Sequence, residues 1–344
     1  MKEYTVAIVG ATGAVGRELL SILEERDFPV KEIRLLSSER SAGTTLRFRG
    51  ASHVVEKATV ESFKGVEVAF FSAGASVSKA LAPEAVRAGA LVIDNTSAFR
   101  MDPEVPLVVP EVNAEDIKSH HGIIANPNCS TIIMVVPLKP IDDRAGIKRI
   151  VVSTYQAASG AGARAMQALM DESRACIMGE AVDPKVLPYA SAPKHYQIAF
   201  NLIPQVDVFS DMYYTKEEWK MVRETQKILH RQDIRVTATT VRVPVFRCHS
   251  ESVNLELEKP LTRQEAMEIL SHAPGVSLMD SPEDMVYPMP YYLSGKDDVY
   301  VGRIREDNTL PSGLNLWVVG DQLRKGAALN AIQIGEKAIE WGII

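Results

Sequence analysis

Cys129 is the side chain whose position along the chain first points to covalent chemistry. It follows the predicted strand Gly122–Ala125 and a turn that ends at Asn128, and the apolar helical run Ile132–Val136 comes next. A cysteine at the start of a helix has its thiolate stabilised by the helix dipole, which lowers the pKa of the thiol. Because the thiolate is a strong nucleophile, the pattern predicts a catalytic cysteine. The alternative is a buried cysteine that acts as a small hydrophobic residue.

The other cysteines and the histidines give weaker signals. Cys176 lies inside a predicted helix, where it is expected to fill the core, and Cys248 is next to His249. Neighbouring residues of a strand point to opposite faces, so Cys248 and His249 are not expected to pair. From the residues alone, a strand histidine is more often structural than catalytic. The sequence has no Cys-x-x-Cys pair and no His-Glu-x-x-His motif, so no metal site is predicted.

A glycine-rich turn near the N-terminus predicts dinucleotide binding. It follows the predicted strand Thr5–Val9 and opens the predicted helix Val15–Glu25. A helix N-terminus offers free backbone N–H groups to a pyrophosphate, and glycines let the backbone come close to it. A plain tight turn is the alternative. The residues expected to hold the cofactor here are Gly10, Thr12, Gly13, Ala14, Val15 and Gly16.

The turn after the second predicted strand, Glu32–Leu36, indicates which dinucleotide binds. Glu39 could hold a ribose 2′-OH, as in NAD-binding proteins. Ser38, Arg40 and Ser41 crowd the same turn, and an arginine with hydroxyl groups is suited to a 2′-phosphate. We therefore expect NADP, with Arg40 as a solvated loop charge the alternative.

The order of strands and helices predicts an α/β chain with two domains, as its 344 residues also suggest. In the first half, helices such as Ser78–Ala88 separate short apolar strands, which is typical of a parallel Rossmann-type sheet. The second half has longer strands that are polar on one side, which predicts an α+β domain. The further predicted strands are Val66–Phe71, Leu91–Asp94, Leu107–Val109, Gly122–Ala125, Arg149–Tyr155, Arg235–Val245 and Ser252–Leu257, and the further helices are Ala163–Met178, Lys216–Leu229, Arg263–His272 and Leu323–Trp341.

Composition excludes several other classes of protein. Hydrophobic residues make up 46% and charged residues 24% of the chain, which is ordinary for a folded protein. A net charge of −6 without a basic run argues against nucleic-acid binding. No apolar stretch is long enough to span a membrane. Three cysteines form no disulfide framework, so we expect a cytoplasmic protein.

Six ordered motifs give the chain a resemblance that covers nearly all of it. The chain resembles the aspartate-semialdehyde dehydrogenases, the phosphorylating, NADP-dependent enzymes of lysine, threonine, methionine and isoleucine biosynthesis. The 29-residue interval between Arg100 and Cys129 resembles the Gram-positive-type branch. The motifs are Gly10–Gly16, Ser97–Arg100, Asn126–Thr131, Ser153–Gly162, Arg242–Pro244 with His249–Glu251, and Lys325–Asn330.

The resemblance implies a reaction and a set of catalytic residues. Cys129 would attack the aldehyde to form a thiohemiacetal, and the substrate carbon would then lose a hydride to NADP and become an acyl-thioester. Attack by phosphate on that thioester would yield an acyl phosphate. His249 would act as the acid/base, and its ordinary pKa range suits proton transfer near neutral pH. Gln156 would orient the substrate beside the cysteine.

The resemblance also implies how the substrates are held. Arg242 would bind the carboxylate with its planar fork, and Glu217 would bind the amino group, with Glu218 a neighbouring candidate. On spacing alone, Glu217 and Lys220 look like a solvated pair on a helix surface. The residues implied for phosphate are Arg100, Lys220 and Asn128, and Ser159, Gly160 and Gln322 are implied for the cofactor.

One interval needs a structural explanation. Arg242 and His249 are seven residues apart, so on an unbroken strand they would face opposite sides. If both reach one site, the strand must break between them, and Pro244 makes a break plausible.

The resemblance further implies a domain division and an assembly. Residues 1–130 with the helix at about 322–344 would bind NADP, and residues 131–321 would form the catalytic and dimerisation domain, with the last helix returning to the first domain. A homodimer is expected, and a tetramer stays open. The alternatives are an N-acyl-glutamyl-phosphate reductase, whose expected His-Pro-Gly-Cys-type turn is missing, and a non-catalytic paralogue that binds without turnover.

Overall fold

The computed structural model describes residues 2–344 and divides into two compact units. The first unit is the described chain through Asn128 together with Gly326–Ile344, and the second is Cys129–Lys325. The predicted α/β class is confirmed, because one unit has a parallel sheet with helices and the other a mixed sheet with helices.

The first unit is built on a six-stranded parallel sheet. Its strands are β1 (Tyr4–Val9), β2 (Val30–Ser37), β5 (Glu56–Lys57), β6 (Val68–Phe71), β7 (Leu91–Asp94) and β8 (Ile123–Ala125), while β3 (Thr45–Phe48) and β4 (Ala51–Val54) form a separate hairpin. Its helices are α1 (Ala14–Glu25), α2 (Ala75–Arg87) and α3 (Pro110–Asn113). The strand order β5-β2-β1-β6-β7-β8 reverses direction at β1. The carboxyl end of such a strand is where nucleotides bind in open α/β sheets.

Burial on both faces explains why these strands read as apolar runs. All six residues of β1 are buried. Val6 and Ile8 belong to the core cluster that includes residues of α1, whereas Ala7 and Val9 belong to the cluster that includes residues of α2. Alternate side chains of β1 therefore enter cores on opposite sides of the sheet.

The second unit carries a mixed six-stranded sheet. Its strands are β9 (Ile147–Gln156), β10 (Arg235–Arg242), β11 (His249–Leu257), β12 (Val276–Leu278), β13 (Val299–Glu306) and β14 (Gly313–Gly320), in the order β10-β9-β11-β14-β13-β12. Its helices are α4 (Cys129–Ala145), α5 (Ala163–Met178), α6 (Lys216–Ile228), α7 (Arg263–Ser271) and α8 (Pro290–Leu293). In β11, His249, Ser250 and Glu251 are all buried, and the residues from Glu251 to Leu257 alternate between buried and half-buried. This alternation is expected when helices cover one face of a sheet.

The C-terminal helix, α9 (Leu329–Glu340), belongs to the first unit, where it packs against α1 and β7. The sequence predicted one helix over Leu323–Trp341, which is wrong in its first turns, because Arg324–Ala328 is π-helical. Asn126 Nδ2 donates a hydrogen bond of 3.2 Å to the carbonyl oxygen of Ala327.

Two predicted strands differ from the structure near prolines. Leu107–Val109 is not a strand, since only Leu107 forms an isolated bridge, to Ala125, before Pro110 begins α3. The predicted strand Arg235–Val245 ends at Arg242, just before Pro244. Proline has no N–H to donate to a sheet, so pairing stops near it.

Candidate active site

Cys129 is the first residue of α4, as the sequence predicted, and it is half-buried. Its Sγ lies 3.4 Å from Nε2 of His249. The helix N-terminus and a histidine thus meet at one thiol. Both features favour a reactive thiolate.

Three neighbouring strands bring the other polar side chains to Cys129. Gln156 ends the middle strand β9, and Arg242, at the end of β10, is paired with it in register. On the other side Ser250 of β11 pairs with Tyr155, which puts His249 beside Gln156. Arg242 and His249 therefore flank the same residue from two different strands. The break predicted from their odd interval is confirmed.

The orientation of His249 fixes its protonation state in this structure. Its Nδ1 accepts a 3.1 Å hydrogen bond from the backbone N–H of Ala157, so Nδ1 carries no proton. The ring proton is then on Nε2, which faces the sulfur of Cys129 and lies 3.4 Å from Nε2 of Gln156. Burial lowers the pKa of His249 to about 3, and the charge of Arg242 acts in the same direction. At neutral pH His249 is therefore an uncharged N–H donor. The ordinary pKa range of histidine had suggested that it would gain and lose its proton near neutral pH.

Glu217 is buried, so the solvated helix pair suggested by spacing alone is wrong. Its Oε1 accepts a 3.0 Å hydrogen bond from Gln156 Nε2, and its Oε2 lies 3.0 Å from Lys220 Nζ. Lys220 Nζ also contacts Asp207 Oδ2 at 3.0 Å. Its neighbour Glu218 instead caps α6, because its side chain accepts a hydrogen bond from the N–H of Thr215. Glu218 also accepts a hydrogen bond from the N–H of Thr240 in β10.

The guanidinium of Arg242 is buried near Glu217. Its Nη1 donates 2.7 Å to the carbonyl oxygen of Ala157, whereas its Nε has no hydrogen-bond partner among residues 2–344. Burial lowers the pKa of Arg242, and the charges of Glu217 and Cys129 oppose that shift. A buried guanidinium with an unused N–H is suited to a carboxylate ligand.

Gly160 lies directly against these side chains. A Cβ at Gly160 would lie 2.8 Å from Nη1 of Arg242 and 2.9 Å from Cε1 of His249. Only glycine leaves this space open. The resemblance implied a cofactor role for Gly160. Within the second unit, Gly160 lies next to Arg242 and His249, two of the candidate site residues.

The two other residues implied for the cofactor in this unit form a buried pair. Gln322 Nε2 donates to Ser159 Oγ, and Gln322 Oε1 accepts a 2.8 Å hydrogen bond from the N–H of Cys248. Cys248 has a left-handed φ of 73° and directly precedes β11. Burial raises the pKa of the Cys248 thiol, which makes that cysteine unreactive. Cys176 packs against the cluster of α5, as expected for a core residue.

In the first unit, the turn Gly10–Gly16 is closely packed and leads directly into α1. Gly10 has φ 98°, and a Cβ at Gly16 would lie 2.2 Å from the carbonyl oxygen of Gly10. Helix α1 starts after Gly13, and no side chain caps its N-terminus. The first N–H groups of α1 are therefore available to a ligand.

A cavity of about 330 Å³ adjoins the end of β1 in the same unit. Its lining includes Ser38, Glu39 and Lys57, whereas Arg40 and Ser41 continue the short 3-10 turn that begins at Glu39. Lys57 Nζ lies 2.8 Å from a carboxylate oxygen of Glu39. This pairing offsets the charge that would oppose a 2′-phosphate. The sequence gave no signal for Lys57, which reaches the cavity only because β5 pairs with β2.

Arg100 and Asn128 also belong to the first unit, and both are buried. Arg100 Nη2 donates 2.9 Å to the carbonyl oxygen of Asn95. The side chain of Asn95 accepts from Asn126 at 2.6 Å, and Asn126 accepts from Asn330 of α9 at 2.6 Å. The closing motif that contains Asn330 thus holds the turn that leads to Cys129.

Glu251 is a buried acid to which the sequence assigned no role. It lies two residues beyond His249 on the same face of β11 and is fully buried. Neither of its carboxyl oxygens has a hydrogen-bond partner among the described residues. Burial, together with the charge of Glu217, raises the pKa of Glu251 well above its ordinary value. The one sequence feature that could have drawn attention to Glu251 is its position in the motif His249–Glu251.

Two kinds of feature are absent from residues 2–344. No group of three or more His, Cys, Asp or Glu side chains is placed to hold a metal ion. No helix in the same range is long and apolar enough to cross a membrane.

Two family models match the chain over most of its length. Residues 5–120 match "Semialdehyde dehydrogenase, NAD binding domain", and residues 138–325 match "Semialdehyde dehydrogenase, dimerisation domain". The aspartate-semialdehyde dehydrogenase of Aquifex aeolicus is 56% identical to the chain over 99% of both proteins. The chain belongs to the aspartate-semialdehyde dehydrogenase family. It is an oxidoreductase of amino-acid biosynthesis with a NAD(P)-binding domain and a dimerisation domain.

Solved structures of this family have the same fold. Aspartate-semialdehyde dehydrogenase II from Vibrio cholerae, complexed with ASA, matches with a TM-score of 0.94 and 47% identity over 99% of both chains. The aspartate-semialdehyde dehydrogenase from Candida albicans, solved with NADP, matches with a TM-score of 0.77 and 25% identity over all of both chains. The predicted family is thereby confirmed.

Proposed function

We propose that this chain converts L-aspartate 4-semialdehyde and phosphate reversibly into 4-phospho-L-aspartate through a thioester on Cys129. The biosynthetic direction reduces aspartyl phosphate, on the route to lysine, threonine, methionine and isoleucine. The observation that carries the mechanism is the 3.4 Å contact between Cys129 Sγ and His249 Nε2 at the start of α4. The relatives that match the chain are aspartate-semialdehyde dehydrogenases, and one was solved with ASA, which supports this substrate.

In the oxidative direction the Cys129 thiolate bonds to the aldehyde carbon, and the carbonyl oxygen becomes an alkoxide. The Nε2–H of His249, held in place by the Ala157 N–H, stabilises that oxygen as charge develops. NADP, when bound, would supply the acceptor for the hydride of this carbon, and loss of that hydride would turn the alkoxide into a thioester on Cys129. A phosphate oxygen then attacks the thioester carbon, the C–S bond breaks, and the thiolate is released.

Charged residues around Cys129 match the charges of the substrate. Arg242 binds the α-carboxylate through its fork, Glu217 binds the α-ammonium, and Gln156 orients the reacting carbonyl. Phosphate is assigned to Lys220 in the second unit and to Arg100 and Asn128 in the first. Burial of Arg242 and Glu217 strengthens both ion pairs, because the local dielectric is low.

The cofactor proposed is NADP rather than NAD. Its pyrophosphate would lie on the first N–H groups of α1, at the turn Gly10–Gly16, and Ser38, Arg40 and Ser41 would bind its 2′-phosphate. In the second unit Ser159, Gly160 and Gln322 are assigned to the nicotinamide end. The Candida albicans relative was solved with NADP, which supports this choice.

We also propose that the chain forms a homodimer in the cytoplasm, through the half-exposed face of its second sheet. The match to a dimerisation domain supports a dimer. Cys129, Cys176 and Cys248 form no disulfide within residues 2–344, which suits a reducing compartment. Two such dimers could associate into a tetramer.

A spectrophotometric assay tests the proposed function. Purified protein with aspartate semialdehyde, phosphate and NADP⁺ is expected to form NADPH, and Cys129→Ala to form none. An N-acyl-glutamate semialdehyde is expected to react poorly in the same assay. Turnover of the acylated substrate alone would favour the reductase alternative, and turnover of neither would favour a non-catalytic paralogue.

A further inference from the structure

Asp207 is an acid outside every sequence motif, yet it contacts a candidate substrate-binding residue. Its Oδ2 lies 3.0 Å from Lys220 Nζ, and its Oδ1 accepts a 2.8 Å hydrogen bond from the N–H of Val208. Its φ of 68° is left-handed, a conformation that aspartate tolerates better than most residues. The backbone thus fixes one carboxylate oxygen and presents the other to Lys220.

Asp207 begins a continuous chain of polar contacts that ends at the nucleophile. Lys220 Nζ lies 3.0 Å from Oε2 of Glu217, whose Oε1 accepts from Gln156 Nε2 at 3.0 Å. Gln156 Nε2 lies 3.4 Å from His249 Nε2, a contact between two N–H groups and not a hydrogen bond, and His249 Nε2 faces Cys129 Sγ. All of these residues belong to the second unit.

Asp207 is one of two acids that offset the charge of Lys220 in this cluster. Asp207 and Glu217 carry two negative charges, while Lys220 and Arg242 carry two positive charges. Glu251 and His249 add no charge, because the pKa of the first is raised and that of the second is lowered. Asp207 and Glu217 each contact Lys220 Nζ at 3.0 Å, so two carboxylates share the charge of Lys220.

We propose that Asp207 is a positioning residue that sets the balance between the two substrates of the enzyme. It shares the charge of Lys220, so that Glu217 keeps enough negative charge to bind the ammonium group of the semialdehyde. The same carboxylate limits how strongly Lys220 attracts the phosphate dianion. This inference rests on the proposed function, in which Glu217 binds the ammonium and Lys220 binds phosphate.

The test uses Asp207→Asn, which keeps the acceptor for the Val208 N–H and removes the charge. We expect the KM for semialdehyde to rise and the KM for phosphate to fall, each by about three- to tenfold, the effect of one partly exposed charge. A purely structural role would move both KM values the same way or lower only kcat. Such a result, or two unchanged KM values, would overturn the proposal.

Two further variants control for charge and for folding. Asp207→Glu keeps the charge and is expected to keep the wild-type ratio of the two KM values within about twofold; a ratio like that of Asp207→Asn would contradict the proposal. Asp211→Asn removes an exposed charge from the same segment and is expected to leave both KM values unchanged.

A binding measurement separates this proposal from the proposed function. Titration calorimetry with inorganic phosphate is expected to show about three- to tenfold tighter binding to Asp207→Asn than to the wild-type protein. This outcome does not depend on turnover. An inactive wild-type protein would count against the proposed function alone, whereas equal or weaker phosphate binding to the variant would count against the role of Asp207.

Discussion

His249 and Glu251 lie two residues apart on one face of β11, and both are fully buried. Neither carries a charge at neutral pH, because burial lowers the pKa of the histidine and raises that of the acid. Each therefore makes the stability of the fold depend on pH, with opposite signs. The side chain that contacts Cys129 is therefore neutral, whereas Glu217 and Arg242 nearby carry charge.

Replacement of His249 by Asn tests its state in the folded chain. Between the folded pKa of about 3 and the unfolded value near 6.5, only the unfolded chain binds the proton, so the wild-type protein loses stability as the pH falls. From pH 6.5 to pH 5 it should lose about 2 kcal/mol more of its free energy of unfolding than His249→Asn. Urea titrations at both pH values measure this. Equal losses would show that His249 titrates normally.

Glu251→Gln provides the matched comparison with the opposite sign. The folded chain keeps the proton of Glu251 above the ordinary glutamate pKa, so the wild-type protein loses stability relative to this variant as the pH rises.

Arg40 tests the choice of cofactor at the residue scale. A charge-assisted hydrogen bond contributes roughly 1.5–3 kcal/mol, so Arg40→Ala should weaken NADP binding about 10- to 100-fold. NAD has no 2′-phosphate, and its binding should change little. Fluorescence titrations with both dinucleotides measure the two affinities, with Arg87→Ala as a control on the exposed surface of α2. Equal losses would mean that Arg40 does not contact the 2′-phosphate.

At the scale of elements, the short 3-10 segment after β9 sets the shape of the candidate site. Ala158–Ala161 follows Gln156 closely, and Gly160 within it lies against Arg242 and His249. Its backbone dihedral is not in the left-handed region, so sterics at the site and not backbone strain require glycine there.

Gly160→Ala should therefore damage catalysis more than stability. The added Cβ would displace Arg242 or His249, and misplacement by about 1 Å costs on the order of 10² in rate. Gly179→Ala is the matched control, because Gly179 has φ 72° with open space around it and should lose about 1 kcal/mol of stability with normal kinetics. Steady-state kinetics and thermal unfolding of both variants decide the point. A fully active Gly160→Ala would contradict the geometry.

Elements with local signals could be predicted from the sequence, and those that depend on tertiary contacts could not. The start of α6 was predicted at Lys216, where Thr215 and Glu218 form a capping box. The π-helical turn at Arg324 and the loss of the strand at Leu107 depend on distant partners and on prolines. The contacts of Cys129 with His249 could be expected from motifs, whereas those of Asp207 and Lys57 arise only when the chain folds.

At the scale of the whole molecule, the second sheet has one face that its own helices leave partly exposed. Ser252 lies in the middle of this face, paired with Ser153 and Trp317 on the neighbouring strands. Its side chain is half-buried, and the ring of Tyr155 packs 5.4 Å from that of Trp317. An aromatic and hydroxyl-rich surface of this kind is suited to a second copy of the chain.

Light scattering tests the assembly. At micromolar concentration the protein should have twice the 37.8 kDa mass of one chain. Ser252→Arg introduces a charge near Arg303 and Arg305 and should shift the protein towards the monomer. Ser119→Arg, on the exposed surface of the first unit, should leave the dimer intact. A wild-type monomer would contradict the proposed dimer.

A rapid-mixing experiment without phosphate tests the thioester on Cys129 most directly. Enzyme mixed with aspartate semialdehyde and NADP⁺ should release one equivalent of NADPH per active site in a burst, because the thioester forms but has no phosphate acceptor. Addition of phosphate should then restore steady turnover. Cys176→Ala should give the full burst and Cys129→Ala none. A burst from Cys129→Ala, or wild-type turnover that requires phosphate before any NADPH appears, would contradict the account.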